Sequence, residues 1–177
     1  GEMPVRVTAL CDTDAKKLAA VAAEWEISDT TTDFNQLISR KDIDIVGIYT
    51  PGPLHAEQII AALEAGKHVN SEVPAAHTLD DCWRIVLATE RSGRVYQLAE
   101  QTRYWGFVDA WKQIVEEGQI GRPTFCEGQY IGYYGTRVFF QDPETGRSCG
   151  VEELADHPKA RPTWLQEMPP IHYLPHE

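Results

Sequence analysis

The chain of 177 residues is long enough for one domain and part of a second, and 42% hydrophobic with 24% charged residues is an ordinary globular composition. A net charge of −11 repels phosphate backbones and argues against a nucleic-acid partner. The apolar runs are too short to span a membrane, and the four cysteines are too scattered for a zinc site or a redox pair, so we expect a cytoplasmic protein with reduced thiols and no metal.

Strand-like and helix-like segments alternate along the first two thirds of the chain. The patterns predict strands at 5–12, 43–50, 68–72 and 95–100, and helices at 15–25, 33–40, 51–66, 78–93 and 104–118. Three of these helices end at a glycine, which is the preferred residue just after a helix: Gly66, Gly93 and Gly118. Four alternations with short connections predict an α/β fold with a doubly wound, Rossmann-like parallel sheet.

The pattern changes near residue 121. Residues 124–134 are rich in strand-forming aromatics but no helix signal follows them, and the chain is irregular and proline-rich from about 148 onward. We therefore predict a Rossmann-like domain over 1–121 and the beginning of an antiparallel α+β domain over 122–177. The second domain would contact substrate or a second subunit, and it is too short to build and cover a large sheet.

The sequence lacks the G-x-G-x-x-G turn through which a Rossmann domain holds the pyrophosphate of a dinucleotide. Asp12, at the end of the first predicted strand, resembles the acid that follows the second strand of such a unit. There it would accept hydrogen bonds from the adenosine ribose and repel a 2′-phosphate, which favours NAD over NADP. The alternatives are a helix cap or a solvated side chain. We expect the chain to begin one β–α unit late, with a slot in its sheet.

The missing glycine turn predicts weak cofactor binding by these 177 residues. Without backbone N–H groups to hold the pyrophosphate, NAD should not quench the tryptophan fluorescence of the chain at micromolar concentrations. Saturation in that range would show that the expectation is wrong.

Residues 43 to 103 resemble the Gfo/Idh/MocA family of NAD(P)-dependent oxidoreductases. Four motifs carry the resemblance, in the right order and spacing: I-V-G-I-Y-T-P-x-x-L-H (45–55), A-L-E-A-G-K-H-V (62–69), S-E-V-P (71–74) and E-Q-T-R-Y (100–104). A looser similarity extends from Val5 to about Tyr134.

The resemblance implies a set of cofactor-binding residues. Thr50 and Pro51 would line the nicotinamide-ribose side, His55 would lie beside the cofactor, and Glu72 would help to bind the nicotinamide riboside. The others are Asp12, Pro74, Gln101 and Arg103. The resemblance also implies a cis Val73–Pro74 bond. The predicted positions agree, because open parallel sheets bind ligands at the carboxyl ends of their strands.

Val73 departs from the family pattern. Most of these oxidoreductases have Glu-Lys-Pro, and the lysine assists proton transfer at the sugar hydroxyl. Valine cannot do so, and Lys67 is no substitute because it precedes the strand, at its opposite end.

A branch of the superfamily does carry S-E-V-P-A-A followed by T-L-x-x-C-W, as residues 71–83 do here. These are NAD-dependent glycoside hydrolases acting on α-N-acetylgalactosaminides. Their Tyr-x-x-His motif matches Tyr173 and His176, whereas their Tyr-x-His motif keeps Tyr130 but has Gly132 in place of the histidine.

Three functions therefore stay open. The first is an NAD-dependent oxidoreductase of a sugar or polyol, with His176, Tyr173 and Tyr130 as catalytic candidates. The second is the NAD-dependent glycosidase, and the third is a non-catalytic nucleotide-binding protein. We expect a homo-oligomer formed through the C-terminal sheet. A zinc site at His172 and His176 is disfavoured, because the neighbouring prolines prevent a helix there.

Overall fold

The computed structural model describes residues 5–127 and 140–167. The chain falls into two compact units, residues 1–99 and residues 100–177. The boundary that we expect near residue 121 concerns the extent of the NAD-binding domain, and it stays a prediction.

The first unit confirms the predicted alternation of strands and helices. Its elements are β1 (Leu10–Cys11), α1 (Ala15–Glu24), β2 (Thr30–Thr31), α2 (Phe34–Ile38), β3 (Ile45–Ile48), α3 (His55–Glu64), β4 (His68–Ser71), α4 (Leu79–Ser92) and β5 (Tyr96–Leu98). The strands form two parallel sheets, β1-β2 and β3-β4-β5. The unit is therefore an α/β, Rossmann-like structure, as the sequence predicts.

The first strand is much shorter than predicted. Only Leu10–Cys11 of the expected 5–12 strand is paired, and its partner is β2, a two-residue strand that the sequence analysis missed. Strands form where a neighbour supplies hydrogen bonds, and within the described residues β1 does not pair with β3. Val5 and Val7 stay largely exposed.

One face of the β3-β4-β5 sheet is buried. Burial alternates along β3, so that Val46 and Ile48 are buried while Ile45 and the following Tyr49 are exposed. Helices α3 and α4 cover the buried face with apolar residues, of which Ile59, Ala62, Leu63 and Ala88 are fully inaccessible. This packing anchors β3, β4 and α3 in the core of the first unit.

The helix ends follow the sequence signals closely. Thr78 caps α4 by accepting a hydrogen bond from the Asp81 N–H at 3.0 Å, as the capping pattern predicts. Gly66 and Gly93 adopt left-handed backbone angles, with φ of +81° and +62°, just beyond α3 and α4. A side chain at these positions would be strained, which explains why both helices stop at a glycine.

Lys67 is a buried cation at the amino end of β4. Its ammonium donates hydrogen bonds to the backbone carbonyls of Arg40 and Ile43, the latter at 2.9 Å, and the residue is 7% exposed. The side chain therefore fastens the segment before β3 to the segment before β4. This position confirms that Lys67 lies at the end of the strand away from the predicted cofactor site.

The described part of the second unit contains α5 (Gly106–Glu116) and an antiparallel sheet of three two-residue strands, β6 (Phe140–Gln141), β7 (Ser148–Cys149) and β8 (Arg161–Pro162), in the order β7-β6-β8. The antiparallel prediction is confirmed. Of the strand expected at 124–134, residues 124–127 are not in a strand, and the remainder lies outside the described residues.

None of the helices in the described residues has the length and apolarity to cross a membrane.

Candidate functional site

The candidate site lies at the carboxyl ends of the parallel strands. Thr50 and Pro51 follow β3, and Glu72 follows β4 immediately. The Glu72 N–H donates to the Ile48 carbonyl at 2.9 Å, so these two strand ends are fastened at the same edge of one sheet. Asp12 follows β1 in the other sheet of the same unit. This is the edge at which an open α/β sheet binds ligands.

Glu72 is half-buried and keeps a free acceptor. Its Oε1 accepts a hydrogen bond from the Val73 N–H at 3.1 Å, and Oε2 has no partner among the described residues. The Val73–Pro74 bond is cis, as the family resemblance implies. A carboxylate held in this way can accept a hydrogen bond from a ligand hydroxyl without giving up its internal contact.

The end of β4, just before Glu72, is held by a buried hydrogen bond between two hydroxyl groups. Ser71 is fully inaccessible, and its Oγ lies 3.0 Å from the Tyr96 hydroxyl of the neighbouring strand. Burial raises the pKa of Tyr96, so the phenol stays protonated and the pair stays hydrogen-bonded. The chain leaves the first unit beside this pair, where the Ala99 N–H donates to the Ser71 carbonyl at 2.8 Å.

Thr50 contacts its neighbours through both of its oxygens. Its hydroxyl donates to Gln58 Oε1 at 2.5 Å, and its carbonyl lies 2.7 Å from His55 Nε2. Pro51 is exposed and begins the 3₁₀ turn Gly52–Leu54 that leads into α3. The loop after β3 is therefore tied to the helix that follows it, which presents Pro51 to solvent at the strand edge.

His55 is buried rather than open to the edge. Its side chain is 1% exposed, and both ring nitrogens face backbone carbonyls, Thr50 through Nε2 and Pro74 through Nδ1. The contact with a cofactor that the resemblance implies stays a prediction. The geometry supports a different contribution, which is to hold the two strand ends.

Asp12 lies exposed at the end of β1. Its Oδ1 accepts the Asp14 N–H at 2.7 Å, while α1 is capped by Asp14, which accepts from Lys16 and Lys17. The helix-cap alternative for Asp12 is therefore excluded. Its Oδ2 has no partner within the described part of the chain, so it is available to a ribose hydroxyl or to solvent.

The remaining predicted residues are not part of the first unit. Gln101 and Arg103 belong to the second unit, in the exposed 3₁₀ turn Gln101–Tyr104. Tyr130, Tyr173 and His176, together with His172, lie outside the described residues. In the described ranges, no group of three or more acidic, histidine or cysteine side chains could hold a metal ion.

Two residues near the edge were missed by the sequence analysis. Gln58 receives the Thr50 hydroxyl, and His77 interacts electrostatically with His55. Neither has a sequence signal, because both contacts join residues whose proximity depends on how α3 and the segment after Pro74 pack.

Two clefts, of about 410 Å³ beside α1 and about 320 Å³ beside α4, are lined by residues other than Thr50 and Glu72.

The pKa of His77 is lowered, first by burial and then by the charge of His55. A proton on His77 therefore binds more tightly to the unfolded chain. Its contribution to stability is complete above the ordinary histidine pKa of about 6.5 and is lost as the pH falls through the lower folded value. The urea unfolding midpoint of the wild type should fall between about pH 7.5 and about pH 5.5. We expect a smaller fall in the His77→Asn variant, which lacks the titrating ring. An equal loss in the variant and the wild type would contradict this assignment.

A family model and the relatives found by sequence comparison agree on one protein family. The sequence model of the Gfo/Idh/MocA oxidoreductases, described as having an NAD-binding Rossmann fold, matches residues 2–100. The chain is 37% identical to 1,5-anhydro-D-fructose reductase from Ensifer adhaerens, over 66% of this chain and 35% of that protein. It is 31% identical to a glycosyl hydrolase family 109 protein from Shewanella pealeana, over 80% of this chain and 33% of that protein.

A solved structure agrees with these relatives. Levoglucosan dehydrogenase, in complex with NADH and levoglucosan, superposes with a TM-score of 0.61 and 34% identity, over 65% of this chain and 31% of that one. This chain thus spans about a third of the length of the relatives that it matches. The motifs, the parallel sheet and these comparisons establish that the chain belongs to the Gfo/Idh/MocA oxidoreductase family, with its NAD-binding Rossmann fold.

Proposed function

We propose that the full-length protein is an NAD-dependent oxidoreductase that transfers a hydride between the cofactor and a CH–OH group of a sugar or polyol. The observation that carries this proposal is the edge formed by Thr50, Pro51 and Glu72. Two adjacent strand ends are joined there, and Glu72 keeps a free carboxylate oxygen.

The side chains at this edge fit a dinucleotide. Bound NAD supplies the hydride acceptor. Glu72 accepts a hydrogen bond from the nicotinamide ribose, and Asp12 accepts one from the adenosine ribose, which disfavours the 2′-phosphate of NADP. Pro51 and Thr50 line the nicotinamide side, and Pro74 shapes the turn after Glu72. Gln101 and Arg103 stay cofactor-binding candidates because the family resemblance implies them. The pyrophosphate needs a glycine turn that the sequence does not contain.

Proton transfer must come from residues other than Val73, because its side chain has no ionisable group. Tyr173 and His176 are the proposed acid–base pair, with Tyr130 as a further candidate. A histidine near neutral pH can take the proton of a sugar hydroxyl as the hydride leaves the same carbon.

A glycosidase is the second candidate, and Val73 is the specific observation that favours it. The family 109 relative aligns over a larger share of the chain than the reductase does. In such a reaction a transient oxidation would be followed by loss of the glycosidic group and return of the hydride, without the two-carboxylate scheme of other glycosidases. A non-catalytic nucleotide-binding protein is the third candidate.

Product analysis on the full-length protein separates the candidates. The oxidoreductase predicts NADH formed in equal amount with an oxidised sugar or polyol. The glycosidase predicts release of the aglycone from an aryl α-N-acetylgalactosaminide without net NADH. His176→Ala should abolish either reaction, and a protein that binds NADH but shows neither reaction would be non-catalytic.

We also propose a homo-oligomer formed through the C-terminal sheet and a cytoplasmic location. The four free cysteines in the described residues fit a reducing compartment. Light scattering of the full-length protein at defined concentrations tests the first proposal, and a monomer would refute it.

A further inference from the structure

The His55 ring lies between two backbone carbonyls that come from different strand ends. Nδ1 is 2.7 Å from the Pro74 oxygen, and Nε2 is 2.7 Å from the Thr50 oxygen. Thr50 follows β3 and Pro74 follows β4, and the last residues of these strands, Ile48 and Ser71, are paired. The ring therefore bridges the two chain segments that leave the sheet at the candidate cofactor edge.

The two acceptors constrain where the ring protons are. A carbonyl oxygen has lone pairs but no proton, so it can only accept. A neutral imidazole carries one N–H, and it would bring the lone pair of its other nitrogen against a carbonyl lone pair at 2.7 Å. Both contacts are hydrogen bonds only when both ring nitrogens carry a proton, and 2.7 Å is the length of a charge-assisted bond.

Three effects oppose a cation at this position. One is the neighbouring His77, whose own pKa is lowered by burial and by the charge of His55. His55 is almost completely buried, and it is the first residue of α3, where the helix dipole disfavours positive charge. A neutral ring, however, would have to move away from one carbonyl, which would leave a buried acceptor unsatisfied. The two contacts are equally short, so the ring has not withdrawn from either carbonyl, and this geometry favours donation from both nitrogens.

We propose that His55 is a positioning residue whose doubly protonated ring donates to the Thr50 and Pro74 carbonyls and thereby sets the spacing between Thr50 and Glu72. The hydrogen-bonded bridge is a property of the first unit. Its use in holding the nicotinamide side of NAD rests on the proposed function.

Nitrogen-15 NMR of the histidine-labelled chain tests the bridge without any cofactor. At neutral pH we expect His55 to show two protonated ring nitrogens, assigned by their loss in His55→Gln. If that variant does not fold, single substitutions of the other five histidines assign the His55 signals by elimination. A ring with one unprotonated, pyridine-type nitrogen would overturn the proposal.

NADH binding by the full-length protein tests the positioning role. Both N–H groups of a glutamine amide are on one nitrogen, which cannot reach the two carbonyls that the ring contacts through different nitrogens, so His55→Gln should weaken binding about tenfold. The control is His68→Gln, at the amino end of β4, which should leave binding unchanged. An unchanged dissociation constant in a folded His55→Gln variant would overturn the positioning role. A wild-type protein that does not bind NADH would refute the proposed function, while the NMR result would still decide the bridge.

Discussion

Lys67→Met is expected to destabilise the protein by about 2–4 kcal/mol, because it removes the donor that satisfies two carbonyls at a buried position. The Lys67 ammonium bonds the carbonyls of Arg40 and Ile43 while the residue is 7% exposed. Methionine fills a similar volume but donates nothing. Urea unfolding should show a lower midpoint with an unchanged slope.

Lys41→Met is the matched control. Lys41 is exposed, and no hydrogen bond or ion pair of its side chain is seen in the described residues. Its replacement should change stability by no more than about 0.5 kcal/mol. Equal losses in the two variants would show that the buried bridge contributes nothing beyond a surface charge.

Glu72→Gln is expected to weaken NADH binding to the full-length protein by about tenfold or more. A hydrogen bond from a ribose hydroxyl to a carboxylate contributes about 1.5–3 kcal/mol, and a neutral amide accepts less strongly. The fold should be preserved, since a glutamine oxygen can still accept the Val73 N–H that Glu72 accepts at 3.1 Å. Isothermal titration of both proteins with NADH measures the difference.

The control for this variant is Glu90→Gln, on α4. Glu90 is exposed and lies beside the cleft of about 320 Å³, away from Thr50 and Glu72. Its replacement should leave the dissociation constant unchanged. Equal weakening by the two substitutions would mean that net charge, and not the carboxylate at the strand end, determines the affinity.

Helix ends could be predicted because their causes are local. A glycine that tolerates a left-handed backbone stops α3 and α4, and Thr78 caps α4 with its own hydroxyl. The sequence predicts Glu72 at the end of a strand, and it follows β4 directly. These features depend on a few neighbouring residues, which the sequence shows directly.

The length of β1 could not be predicted in the same way, because a strand extends only as far as its neighbour. Residues 5–12 are rich in β-branched residues, yet only Leu10–Cys11 is paired. The roles of His55 and Lys67 were missed for a related reason. A histidine at a helix start or a lysine before a strand is usually exposed, and only tertiary packing determines that these two point inward to backbone carbonyls.

We propose above all that the carboxyl ends of β3 and β4 form the nicotinamide side of a dinucleotide site. Hydrogen–deuterium exchange of the full-length protein, with and without saturating NADH, tests it most directly. We predict slower exchange in peptides covering Tyr49–Leu54 and Glu72–Ala76, and no change in the peptide covering Lys41–Asp44 at the opposite end of the sheet. Protection of the 41–44 segment alone, or no protection at either strand end when NADH is bound, would contradict the account.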